Sequence, residues 1–75
     1  MNITLSDKQI ETIVTERVTV TIGEHKLQYI DYLNDSGRVI DSVLRDENGN
    51  TLTYDDPGYG EYSISEIMDY IQANF

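Results

Sequence analysis

Apolar and polar residues alternate through the middle of the chain. Val18, Val20 and Ile22 fall on one parity and Thr19 and Thr21 on the other, a period of two that predicts a strand over 17–22. Gly23-Glu24-His25-Lys26 reads as a turn into a second strand over 27–33, and Asn34-Asp35-Ser36-Gly37 as a turn into a third over 38–45. Asn48-Gly49 is the strongest hairpin signal in the chain and predicts a fourth strand, 51–54, paired back on the third. If Asn48-Gly49 is a two-residue turn, Val43 faces Tyr54 and Arg45 faces Leu52. Val39, Val43, Leu52 and Tyr54 then share one side, while Ile40 and Leu44 make the other side apolar too. Both faces would want cover, and a slip of one residue would exchange them.

The period changes to that of a helix at both ends. Ser6 with Gln9 forms a potential capping box, Leu5 with Ile10 a hydrophobic staple, and Ile10, Ile13 and Val14 follow helical spacing. This predicts an N-terminal helix that gives way near 14–17 to residues rich in threonine, valine and isoleucine, which favour strands. At the other end Ser63 and Glu66 form a second capping box, with Tyr62 and Ile67 as staple. Ile64, Ile67, Met68, Ile71 and Phe75 recur at spacings of three and four, so a C-terminal helix should lay that stripe on the sheet. Between the last strand and this helix, Asp55-Asp56-Pro57-Gly58-Tyr59-Gly60-Glu61 reads as a loop. The predicted fold is α+β: an antiparallel meander of three to four strands with an N-terminal and a C-terminal helix, in the order α-β-β-β-β-α.

Seventy-five residues make one domain, 1–75, with a thin core, since a chain this short buries only about 60% of the surface its unfolded form exposes. The chain has no cysteine, so disulfides and thiolate chemistry are excluded. The N-terminus lacks the basic and apolar regions of a secretory signal, and no apolar run approaches the roughly 20 residues of a membrane span; the chain reads as cytoplasmic, with no membrane contact. Charge changes the picture most. Fourteen acidic residues against five basic give a formal net charge of −9, which repels nucleic acid and anionic membrane and attracts basic surfaces. The five cations, Lys8, Arg17, Lys26, Arg38 and Arg45, all precede position 46; Asp46, Glu47, Asp55, Asp56, Glu61, Glu66 and Asp69 follow with none among them. Such charge also serves solubility alone.

Chemistry-bearing patterns are sparse. Nucleophilic catalysis needs a hydroxyl or thiol beside a base, and the one histidine, His25, lies in a predicted turn, where it reads as a solvated residue. Asp46, Asn48 and Asn50 imitate the start of a calcium loop, but Thr51 and Pro57 stand where that loop requires glycine and glutamate, so the hairpin reading prevails. Asp55, Asp56 and Glu61 lie together near Tyr59 and Tyr62, yet acid–base work needs a walled pocket, for which a thin core leaves little room. Gly58-Tyr59-Gly60 lacks the lysine of a phosphate loop, and its acidic neighbours would repel phosphate. The expectation is a protein that is not an enzyme and takes neither metal nor cofactor.

The surface itself then becomes the candidate. Tyrosine supplies six of the seven aromatic residues and is favoured at interfaces. The expected partner-binding residues are Asp55, Asp56, Tyr59, Glu61, Glu66, Asp69 and Tyr70, with Asp41, Asp46 and Glu47 extending the stripe. Carboxylates about 6–7 Å apart on a strand face, or about 5–6 Å apart on a helix, can imitate a run of backbone phosphates. In size, charge and lack of cysteine the chain resembles the small acidic inhibitors that phages and mobile elements direct against host restriction, CRISPR or DNA-processing enzymes. That resemblance covers composition over the whole chain and no motif, and those inhibitors share no fold. It implies a DNA-mimic inhibitor, of anti-restriction or anti-CRISPR type, bound to a basic nucleic-acid-processing protein and not to nucleic acid. The competing expectation is a non-enzymatic interaction or assembly module, such as a homodimer, that pairs through an apolar, tyrosine-bearing sheet face.

Overall fold

β-branched residues prevail over the helical spacing at the N-terminus. The structure, a computed structural model, describes residues 2–12 and 14–75. Its strands are β1 (Ile3–Leu5), β2 (Gln9–Thr12), β3 (Thr15–Ile22), β4 (His25–Leu33), β5 (Val39–Arg45) and β6 (Thr51–Leu52), followed by one helix, α1 (Ile64–Ala73). All pairings are antiparallel in the order β1-β3-β4-β5-β6, with β2 also on β3. The fold is therefore a small, mostly β antiparallel sheet with a C-terminal helix.

The expected N-terminal helix is replaced by strand. Ser6, expected to cap it, instead continues the pairing of β1: its N–H donates to the Thr19 carbonyl (2.9 Å) and its hydroxyl accepts from the Thr19 N–H (2.8 Å). Ile10, which a helix would have buried, is 79% exposed on β2, and Val14 is exposed as well. Ile13, the third residue of that stripe, lies outside the described residues. Three apolar positions are too short a stripe to hold a helix, whereas the edge of β3 offers a backbone partner to every residue laid on it. β1 and β2 share that edge end to end, separated by Ser6-Asp7-Lys8.

The strand alternation sorts the sheet into two faces. Val18↔Tyr29↔Leu44↔Leu52 and Val20↔Leu27 sit in register on the helix side. They join Ile3, Ile22, Ile64, Ile67, Met68 and Ile71 in one core. The opposite face is largely polar: Thr19↔Gln28↔Arg45↔Thr51, Thr21↔Lys26, Arg17↔Ile30↔Val43 and Tyr32↔Asp41. Threonine and long polar side chains suit a solvated sheet face, and among the described residues no helix packs on it.

The register of β5 on β6 differs from the expected one by a single residue: Leu44 faces Leu52 and Arg45 faces Thr51. The Asp46 carboxylate is the cause. Its Oδ1 accepts from the backbone N–H groups of Asn48 and Asn50, both at 2.9 Å, and the Gly49 N–H donates to the Asp46 carbonyl (3.1 Å). Gly49 stands at φ 82°, the left-handed residue that ends a three-residue loop. The longer loop moves Leu52 to the helix side with Leu44 and leaves Val43 on the open face.

The C-terminal helix forms as its sequence predicts. Ser63 Oγ accepts from the Glu66 N–H, and Glu66 Oε1 accepts from the Ser63 N–H, both at 3.1 Å. Ile64, Ile67, Met68 and Ile71 are buried, while Phe75 lies beyond the helix and is exposed. The preceding loop holds a tight turn at Gly60-Glu61, where the Tyr59 and Tyr62 backbones bond to each other at 2.9 and 3.0 Å. Gly58 passes so close to the Tyr62 carbonyl that a Cβ would overlap it.

Candidate functional site

The two hairpin turns at one end of the sheet bring together residues far apart in sequence. His25 opens β4 and Glu47 lies in the β5–β6 loop; His25 Nδ1 and Glu47 Oε1 are 2.6 Å apart. The Tyr59 ring packs against the His25 imidazole with centroids 4.9 Å apart and planes inclined by 58°. His25, expected as a solvated turn residue, is exposed, and it also joins two turns and the 53–62 loop. Burial, and then the charges of Asp46, Glu47 and Asp56, push the Tyr59 phenol above its usual range. The Asn50 N–H bond first, with those of Asn48 and Gly49, holds the Asp46 carboxyl below its usual range despite some desolvation. Asp56 is held beside them by its own turn, its Oδ2 accepting from the Thr53 N–H (2.6 Å) and hydroxyl (3.2 Å).

The charges of three carboxylates therefore reach a half-buried tyrosine. Among the described residues Asp46 and Asp56 make no ion pair, and Glu47 pairs only with His25. Of the residues expected from sequence, Asp56 and Tyr59 stand in this cluster, and Asp46 and Glu47, expected only as an extension, are central to it. Asp55 is exposed beside Asp56, and Glu61 is exposed in the Gly60-Glu61 turn. Glu66 and Asp69 lie on the solvent side of α1, where Glu66 is engaged in the capping box. Tyr70 is half-buried against the core, which leaves it little free surface. Asp41 sits towards the far end of β5, opposite Tyr32.

A second feature was missed by sequence reasoning. Asp31 is only 4% exposed, and it shares the helix-side parity of Leu27 and Tyr29 on β4. That parity was legible: an aspartate in phase with core residues marks a charge that must be partnered inside. Its Oδ1 accepts from the Ser42 hydroxyl (2.7 Å), and its Oδ2 lies 3.5 Å from Lys8 Nζ. The carboxylate opens onto a cleft of about 250 Å³ walled by Tyr29, Val39, Ile71 and Phe75.

The open face carries a polar network in which Arg17 donates to Glu11 and to Gln28 Oε1 (3.4 Å), and Arg45 Nη2 donates to the Tyr32 hydroxyl (3.4 Å). Among the described residues, no group of three or more His, Cys, Asp or Glu side chains is arranged to hold a metal ion, and no helix is long and apolar enough to cross a membrane. No protein-family model, curated protein or solved structure matches the chain, so its functional reading rests on its own chemistry.

Proposed function

We propose that the chain is a small acidic binding protein that docks on the basic surface of a nucleic-acid-processing protein in place of DNA, as an inhibitor of the anti-restriction or anti-CRISPR kind. The observation that carries this reading is the acidic end where His25 joins Glu47 to Tyr59 and the charges of Asp46, Glu47 and Asp56 reach the Tyr59 phenol, on a chain of net charge −9. Carboxylates fixed by turn hydrogen bonds are preorganised, so they approach a cationic groove without first losing side-chain freedom. Tyr59 adds a flat contact area in their midst, and the long-range field steers the encounter. Asp55 and Glu61 widen this acidic end, and Glu66 and Asp69 offer a second pair on the helix.

The test is capture of partners on the immobilised protein with stepwise salt elution. A nucleic-acid-processing protein should elute at moderate salt, and changing Asp46, Glu47 and Asp56 together to Asn or Gln should abolish its capture. Capture undiminished by the triple change would overturn the reading.

A second reading, an assembly module or homodimer, is favoured by exposed apolar residues along β5: Val39, Ile40 (65% exposed) and nearby Tyr54 (72% exposed). The sheet face expected to serve it is polar, so pairing would run through the strand edge. Complexes that persist in high salt would favour this second reading.

A further inference from the structure

We infer that the cleft beside Asp31 is a binding site for a primary alkylammonium group; Lys8, on its wall, supplies that group from within the chain, and a lysine side chain of a partner can take its place. Four observations combine. Asp31 is a buried carboxylate, and a buried charge is tolerated only when paired. One of its oxygens is committed to Ser42, at 2.7 Å, leaving Oδ2 alone for a cation. A single free oxygen suits the point charge of an ammonium, whereas a guanidinium is bound best by both oxygens of a carboxylate. The walls, Tyr29, Val39, Ile71 and Phe75, are what an alkyl stem packs against.

Lys8 shows what fits and how loosely it is held. Its Nζ lies 3.5 Å from Asp31 Oδ2, 3.5 Å from Glu16 Oε2 and 5.2 Å from the centre of the Phe75 ring. Two carboxylates and an aromatic face are groups of the kinds that hold an ammonium. Tight charge-assisted bonds run to about 2.7–2.9 Å, so neither contact to Lys8 is close. Lys8 also stands in the irregular stretch between β1 and β2, outside the regular ladder. An incoming lysine would exchange one ammonium for another and leave Asp31 paired throughout. That a partner's lysine is the natural occupant rests on the acidic-binding reading above; the chemistry of the cleft does not.

The test needs no partner. Lys8→Ala removes the internal ammonium, and its stability is measured in n-butylammonium chloride against sodium chloride at equal ionic strength. At about ten times its dissociation constant, the amine should raise the folding equilibrium constant of Lys8→Ala about tenfold. The unaltered protein should respond less, because Lys8 competes. Backbone NMR shifts induced by the amine should centre on Val39, Ser42 and Phe75. Val39→Trp, added to Lys8→Ala to fill the cleft mouth without touching Asp31, should abolish both responses, as should Asp31→Asn wherever that variant folds. A response to the amine no larger than to sodium chloride would overturn the inference, as would one that survives Val39→Trp. Either result is independent of the Asp46–Glu47–Asp56 capture experiment, so the two readings can fail separately.

Discussion

Tyr59 and Asp46 are shifted in opposite directions for different reasons, burial first for the phenol and backbone hydrogen bonds first for the carboxyl, and each bears on a different limb of the stability profile. The Tyr59 phenol is raised above 10.0, so the folded state holds its proton more tightly than the unfolded chain does. Its contribution is complete below about pH 10 and is lost as pH rises through the raised folded value. Tyr59→Phe should flatten this alkaline limb in denaturation followed by circular dichroism. Burial is the first cause of the shift, so neutralising Asp46, Glu47 and Asp56 should return the phenol only part of the way, read from phenolate absorbance. Asp46 is the reverse case, with its folded value below 3.8. Its contribution is present above that value and lost as pH falls through the depressed one. The stability gap between Asp46→Ala and the unaltered protein should therefore narrow on acidification. The same carboxylate sets the β5–β6 loop length, so the variant should also lose the pairing of Leu44 with Leu52, visible as lost amide protection.

Among the elements, α1 was the most legible in sequence because its signals agreed: a capping box at Ser63 and Glu66, and an apolar stripe that the sheet buries. Ser63→Ala should cost about 1 kcal/mol in urea denaturation. Since Glu66 is tied to the Ser63 N–H at 3.1 Å, Glu66→Gln should weaken partner capture less than a change at Asp46 or Asp56. The N-terminus was misread because Ser6 and Gln9 satisfy a local helix signature while their real partners, Thr19 and Arg17, lie elsewhere in the sequence. Local pattern carries no record of a neighbouring strand edge that offers hydrogen bonds. The register of β5 and β6 was missed for a smaller reason: Asn48-Gly49 signals a turn, but loop length was decided by the Asp46 side chain. The central hairpin, by contrast, follows from alternation alone, with Gly23 at φ 59° turning β3 into β4. The candidate site was half legible. Asp56 and Tyr59 belong to one loop, but Asp46, Glu47 and His25 reach them only through the folded turns.

The whole molecule carries net charge −9 on 75 residues, and its cations do not offset this. Among the described residues, Lys8 is drawn towards Asp31 and Glu16, and Arg17 towards Glu11. Self-repulsion among the remaining carboxylates opposes folding, and mobile ions screen it. The melting temperature should therefore rise with sodium chloride even as partner capture weakens, a contrast that calorimetry and binding measured across one salt series would reveal. The same charge bears on the outer edge of β5. Among the described residues β6 pairs with Leu44 and Arg45 alone, so no strand pairs with the stretch from Val39 to Val43 on that side, and Ile40 is exposed. An unpaired strand edge is a template on which further chains can stack, and here the Asp41 charge and the bulge between Asp41 and Val39 are the features that blunt it. Near neutral pH the mutual repulsion of the molecules keeps them apart. Near pH 4.1, where the net charge vanishes, that protection is gone. The acidity that on the proposed reading recruits a basic partner is then also a colloidal stabiliser, and solutions brought to that pH should thicken into sheet-rich aggregates seeded from β5.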